Sequence, residues 1–291
     1  MRASLKIESI GVCLKPDQPD CEEVVGRIVV WAKKRQIKVV LDQPVAGSSD
    51  LPVIEPEQLY SRVDLIIAVG GDGTLLGAAR SIGTRDVPIL GINLGRLGFL
   101  TEVNRDELED CLDRIARGEL TIEARMRLDV SVFREDDEVA KYLALNDVVI
   151  TRSATSRLVD LETFANGAKV TTYHGDGLII STPTGSTAYS LSASGPILMP
   201  NVEAIVLNPI CAHSLNQCPI VLPHHSEIEV RPAFSHKIDA ATLTVDGQEG
   251  FELGPGDRVV TKRSPHDVHI AASPFRNHFE ILHTKLNWGD R

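Results

Sequence analysis

Apolar positions in the first 120 residues fall into two alternating kinds of run. "IGVCL" from Ile10, "IKVVL" from Ile37, "DLIIAV" from Asp64 and "VPILGIN" from Val87 are short, continuous and strand-like. Between them, "CEEVVGRIVVWAKKR" places Val24, Val25, Ile28, Val29 and Ala32 on one helical face, and "TLLGAARSI" is helical as well. Strands without alternation, separated by helices, predict a parallel sheet covered on both faces. A further helix is predicted over "NRDELEDCLDRIARGEL", with Asn104 and Glu107 spaced as a capping box and Gly118 as its stop.

The period changes near residue 120. "RLDVSVFRE" puts Leu128, Val130 and Val132 on one side of a strand, and "EDDE" turns it back into "AKYLALNDVVI". From there to about residue 270, strand-like runs alternate with glycine and proline turns, predicting a mostly β domain. The tail, "PFRNHFEILHTKLNW", is partly helical and is expected to return to the first domain. The expected boundaries are therefore 1–120, 121–272 and 273–291.

Composition narrows the function classes. With 30 basic and 40 acidic residues the formal charge is -10, which argues against a protein that works by gripping nucleic acid or anionic lipid. The chain has no apolar run of membrane-spanning length and its start lacks a signal-peptide pattern, which points to the cytoplasm. The five cysteines are scattered without a C-x-x-C pair, and reduced, mostly buried thiols are expected. The spacing of Cys211, Cys218, His224 and His225 fits no common zinc pattern, and no protein-held metal is expected.

The chemistry is concentrated in two stretches. In "AVGGDGTLLGAAR", Gly70, Gly71 and Gly73 let a phosphate approach bare backbone through unusual φ angles, and the helix that follows adds its positive end. Asp72 sits among them. Beside phosphates a carboxylate is repelled unless a cation or a transferred proton compensates, which phosphoryl transfer supplies. A plain helix-capping aspartate is the alternative. No Gly-Lys-Ser/Thr follows, so this is not a Walker loop. The second stretch, "YHGDGLIISTPTGSTAYSLSASGPI", offers Asp176, several hydroxyls and Tyr189 to a polar ligand.

These segments, with "GINLGRLGFLTE", "LNDVVITR", "NPICAHSL", "VDGQ" and the terminal "TKLNW", resemble the NAD kinase family in order across nearly the whole chain. The resemblance implies a Rossmann-like α/β N-terminal domain with a parallel sheet, a β-sandwich-like C-terminal domain, and a final segment returning to the first. It implies phosphorylation of the adenosine 2′-hydroxyl of NAD by ATP or polyphosphate. Mg²⁺ or another divalent cation would travel with ATP, with no permanently bound cofactor. It also implies a homodimer or homotetramer whose site lies between domains.

Residue by residue, the resemblance makes Asp72 the general base and Gly70, Gly71, Gly73 and Thr74 the phosphate loop, with Gly73 near the dinucleotide. Asn146 and Asp147 match an Asn-Glu pair that contacts the dinucleotide. Asp147 is shorter than Glu by one C–C bond, ~1.5 Å. Thr187, Ala188, Tyr189, Ser190, Leu191 and Ser192 match the main dinucleotide-binding run, and Asp176 and Gln248 two further binding positions. Arg157 and His174 fall at variable contact positions, the latter linked to choice between NAD and NADH. Gln217 and Cys218 stand where many relatives have a basic residue before proline. Arg96 and Arg152 are open to phosphate contact or surface ion pairing, and Asp246 reads as a hairpin turn with Gly247. A lipid kinase sharing GGDGT and a dinucleotide-binding regulator are the alternatives. The first is disfavoured by the STPTGSTAY segment and the second by the intact Asp72.

Overall fold

The computed structural model describes residues 7–15, 20–48, 50–119, 121–153, 158–214, 216–234 and 240–288. They form two compact units, one of Met1–Ala124 with Val268–Arg291 and one of Arg125–Asp267.

The first unit is built on one sheet. Its strands run in the order Lys38–Leu41, Ser9–Leu14, Leu65–Gly70, Ile89–Asn93, Val268–Ala271 and Ile122–Arg125, with Val103–Asn104 beside Ile89–Asn93. The pairings from Lys38–Leu41 across to Val268–Ala271 are parallel. Every residue of Leu65–Gly70 is buried, which is why its sequence shows no alternation. Helix Asp20–Lys33 covers one face with Val24, Val25, Ile28, Trp31 and Ala32. The helix expected after Asn104 begins as a 3-10 turn and continues over Leu108–Ala116. Glu107 accepts from the Asn104 N–H at 2.9 Å, and Gly118, at φ 69°, follows its end.

The strand order creates a crevice. From Ser9–Leu14 the chain moves to one side, to Lys38–Leu41, and then crosses to Leu65–Gly70 on the other. Loops leaving the carboxyl ends of these two neighbours diverge, and such switch points are where open parallel sheets hold ligands. The glycine stretch leaves the sheet at this point.

Ile122–Arg125 and Val268–Ala271 both join the first sheet, and the compact units divide at 124/125 and 267/268, a few residues from the expected 120 and 272. The tail is fixed by polar contacts. Ser273 N–H donates to Glu102 Oε2 at 3.0 Å, and Arg276 pairs with Glu107 and donates to the Glu102 carbonyl at 2.6 Å. Asn277 and Glu280 then form a capping box at the start of helix His278–Leu286.

The second unit is a pair of six-stranded sheets with antiparallel strand pairing among the described residues. Val130, Val132 and Leu161 from one sheet meet Ile150, Leu178 and Leu243 from the other in a shared core. Ile179 points the opposite way and packs with Val149, Ile210 and Ala193. The strand Gly177–Ser181 is therefore buried on both faces, and the segment that follows it covers the outer one.

Candidate active site

Helix Asp72–Ser81 begins directly at the glycine stretch, with Gly71 as its N-cap. Its first turn carries the positive end of the helix dipole, and Thr74 N–H donates to the Gly71 carbonyl at 3.0 Å. Gly70 is glycine for an internal reason. A Cβ there would lie 2.3 Å from Thr74 Oγ1 and 3.0 Å from Lys15 Cβ. Gly71 and Gly73 have no such reason, because a Cβ on either meets nothing within 4 Å. None of the three has a positive φ, and Gly71 is extended at φ -133°. The expected unusual φ angles are thus absent. What distinguishes Gly71 and Gly73 is the unfilled space where a side chain would stand.

Asp72 does not cap its helix, so the capping alternative falls; it is the first helical residue, with no side-chain cap bond at the N-cap. Its carboxylate reaches across to the loop after Ile89–Asn93. Oδ1 accepts from Leu100 N at 3.0 Å, Thr101 N at 2.9 Å and Thr101 Oγ1 at 2.9 Å. Oδ2 accepts one bond, from Phe99 N at 2.8 Å. Gly98 makes room for this, since a Cβ there would sit 1.9 Å from Asp72 Oδ1. The same edge carries two cations. Lys15 ends Ser9–Leu14, with its N–H on the Val69 carbonyl at 3.1 Å. Arg96 follows Leu94, whose N–H donates to the Gly70 carbonyl at 3.1 Å. Both side chains are exposed, and neither pairs with a carboxylate among the described residues.

In the second unit, a cavity of about 380 Å³ is lined by Asn146, Asp147, Ala188, Tyr189, Thr151, Thr244 and Asp246, among others. The Asn146 backbone is gripped from both sides. Asp246 accepts from the N–H groups of Leu145, Asn146 and Asp147 at 2.9, 2.7 and 3.1 Å. On the other side Thr182 N–H donates to the Asn146 carbonyl at 2.9 Å and Thr182 Oγ1 to the Leu145 carbonyl at 2.6 Å. Gly185 passes so close that a Cβ would lie 2.0 Å from the Asn146 carbonyl oxygen.

Two carboxylates here meet opposite environments. Asp246 is solvated by three N–H groups. Asp147 is 3 % exposed, and its carboxyl has no hydrogen-bond partner among the described residues. Burial, with the Asp246 charge second, pushes Asp147 up to about 7.

Most hydroxyls of the STPTGSTAYS stretch are spent internally rather than offered to a ligand. Ser186 Oγ donates to the Pro183 carbonyl at 2.6 Å and accepts from Leu198 N at 3.0 Å. Asn208 donates to the Ser190 carbonyl and hydroxyl at 2.9 and 3.3 Å, so Ser190 faces inward. Thr187 and Leu191 are half-buried, and Ser192 is exposed. Tyr189, 45 % exposed, is the aromatic group presented at the cavity.

The remaining predicted positions form a separate cluster or stand alone. Asp176 pairs with Arg152 at 2.8 Å, which holds its carboxyl below the usual range. Arg152 is thus an ion-pairing residue. His174 Nδ1 bonds Asp160, and its ring meets His213 edge-on at 5.7 Å. Gln217 Nε2 donates to the Thr172 carbonyl at 2.7 Å. Gln248 is exposed in the 246–248 turn, and Arg157 lies outside the described residues. Three cysteines, Cys13, Cys21 and Cys111, are buried. Cys211 and Cys218 are exposed, so the thiols are mostly but not all buried.

The chain is similar to known proteins over most of its length. Residues 10–120 match the model of the ATP-NAD kinase N-terminal domain, and residues 145–273 that of the C-terminal domain. The chain belongs to the NAD kinase family. It is 44% identical to the NAD kinase of Geobacter sulfurreducens over 98% of this chain and 100% of that one. It is 42% identical to the NAD kinase of Solibacter usitatus over 98% and 99%. Among solved structures it is similar to yeast NADH kinase complexed with NADH, with TM-score 0.89, 25% identity, and 98% and 89% of the two chains covered. It is also similar to an NAD kinase from Archaeoglobus fulgidus in complex with ATP, with TM-score 0.77, 28% identity and 96% and 98% covered.

Within this family fold, sequence reading missed Thr151, Thr244 and the second task of Asp246. Thr151 and Thr244 sit on neighbouring antiparallel strands, Asp147–Arg152 and Ala241–Val245, about 90 residues apart in sequence. No local signal links them. It also missed Asn93 and Thr101, which stand behind Asp72.

Proposed function

We propose that this chain transfers the γ-phosphoryl group of ATP to the 2′-hydroxyl of the adenosine ribose of NAD, giving NADP, with Asp72 as general base. The observation that carries this reading is the glycine turn at the switch point. Its Gly71 and Gly73 leave unfilled space where a side chain would stand, and its one acid has an oxygen with capacity to spare. The same reading has the enzyme working in the cytoplasm as a homodimer or homotetramer.

The roles follow from the chemistry of each group. The Gly70–Thr74 turn and the helix end receive donor phosphates. Asn146, Asp147, Ala188 and Tyr189 hold the dinucleotide, with Arg157, His174, Asp176, Thr187, Ser190, Leu191, Ser192 and Gln248 as its further contacts or supports. Asp72 orients the hydroxyl and takes its proton through Oδ2. The hydroxyl oxygen bonds to the γ-phosphorus, the bond from that phosphorus to the bridging oxygen breaks, and ADP leaves with the electron pair. In a loose transition state, positioning and charge neutralisation matter more than basic strength.

The glycine turn offers one carboxylate, and three of its four hydrogen bonds fill Oδ1. That donor set is too small to cage a hard octahedral cation but suits one carried largely by substrate phosphates. Mg²⁺ on ATP would supply neutralisation of phosphate charge.

The test crosses NAD and NADH with ATP and polyphosphate in the presence of Mg²⁺, reading NADP or NADPH with an NADP-specific coupled enzyme. Product from the wild type and a large loss of turnover in Asp72→Asn, with NAD binding kept, is the expected outcome. Absence of product in every combination, from folded protein that binds NAD, overturns the kinase reading. Normal turnover by Asp72→Asn removes the base assignment.

A further inference from the structure

A chain of hydrogen bonds runs behind Asp72, and the direction of each bond is determined. Gly95 N–H donates to Asn93 Oδ1 at 2.7 Å, which fixes the amide so that Nδ2 points the other way. Asn93 Nδ2 donates to Thr101 Oγ1 at 3.0 Å. An amide nitrogen only donates and a carboxylate only accepts, so the single hydroxyl proton of Thr101 must point to Asp72 Oδ1, 2.9 Å away. Asn93 is 4 % exposed and Thr101 fully buried, so water does not compete for these bonds.

The consequence concerns which carboxylate oxygen is left to react. Oδ1 holds three donors and has no room for a fourth partner. Oδ2 holds one. The backbone donors of Phe99, Leu100 and Thr101 hold the carboxylate from the loop side. The Thr101 hydroxyl, itself pinned by Asn93, adds a side-chain donor that resists tilting of the carboxylate plane. We propose that Thr101, oriented by Asn93, is a positioning residue that fixes the plane of the Asp72 carboxylate, so that the oxygen bonded only to Phe99 N–H is held to accept the proton of the acceptor hydroxyl.

This rests on Asp72 as the base, and the experiment separates the two ideas. Steady-state kcat and KM are measured for Thr101→Val, Thr101→Ser, Asp72→Asn and the Asp72→Asn, Thr101→Val double variant. Thermal unfolding of each is recorded alongside. Loss of one orienting contact at a reacting group is expected to lower kcat of Thr101→Val by about 10- to 100-fold with KM for NAD unchanged. Thr101→Ser, which keeps the hydroxyl, should restore most of it. The double variant should be no slower than Asp72→Asn alone, since the hydroxyl acts only through that carboxylate. Wild-type kcat in Thr101→Val with a dead Asp72→Asn overturns the proposal and leaves the base in place. Wild-type kcat in both overturns the base reading itself. A loss in Thr101→Val that Ser does not restore, or that adds fully to Asp72→Asn, marks a merely structural role and also overturns it. Should Thr101→Val fail to fold, Thr101→Ala removes the hydroxyl with less bulk and carries the same test.

Discussion

Replacing Asp147 by asparagine should make the second unit's stability less dependent on pH, in a direction the structure fixes. Asp147 is buried without a hydrogen-bond partner among the described residues and faces the charged Asp246. Its native pKa, about 7, lies above its ordinary value of 3.8. Between these two values the native state keeps a proton that the unfolded chain has released, so stability falls as pH rises through this window and levels off above about 7. Each pKa unit is worth about 1.4 kcal/mol, so the roughly two units crossed between pH 5 and 7 amount to ~3 kcal/mol. The Asp147→Asn side chain cannot ionise, so the variant lacks this slope. Its unpaired amide has a cost of its own, about 1–3 kcal/mol, but that cost is the same at every pH. The diagnostic is therefore the change with pH, not the absolute difference. Native-state hydrogen exchange on peptides covering Asp147–Arg152, variant against wild type at each pH, cancels the intrinsic rate. The variant should gain about a hundredfold in relative protection between pH 5 and pH 8. A ratio that stays constant across that range would refute the reasoning, and with it the separation of roles between Asp147 and Asp246.

Three further outcomes are expected. Tyr189→Ala removes the exposed ring at the cavity and should raise KM for NAD about 10-fold, as loss of one stacking face worth ~1–2 kcal/mol does, with thermal stability unchanged. Gly71→Ala meets no atom within 4 Å and has an ordinary extended backbone, so it should leave the unfolding temperature in place while raising KM for ATP about 10-fold; Gly70→Ala, which runs into Thr74 and Lys15, should lower the unfolding temperature. Lys15→Ala removes an exposed cation beside the glycine turn and should raise KM for ATP by about 5- to 10-fold, an effect that shrinks at high salt; an unchanged KM at low salt would rule out a phosphate contact.

The layout of the first unit was legible because its strands are buried on both faces and its helices on one, and both habits write themselves into local hydrophobic spacing. The same holds for the Asn104/Glu107 capping box, whose partners are three residues apart. The glycine turn stood out because its composition is unusual within a short window, whereas the Asn146–Asp147 pair was legible only through the family resemblance. The hydroxyl-rich stretch misled, because Ser and Thr look alike in sequence whether they face a ligand or, like Ser186 and Ser190, tie down a buried turn.

What the sequence determined by itself is thus the set of elements and the short constellations, since each depends on periodicity and neighbours within a turn or two of chain. The tertiary structure decided the rest. Strand pairing brought Val268–Ala271 into the first sheet. Folding set Thr101 and Asn93 behind Asp72, and Asp246 beneath residues 145–147. A carboxylate is obliged to find donors when it leaves water, but which donors it finds, 28 or 100 residues away, depends on where the backbone brings their N–H groups. That information is not local, and it is what separates Asp72, with an oxygen left over, from Asp147, with none of its charge compensated.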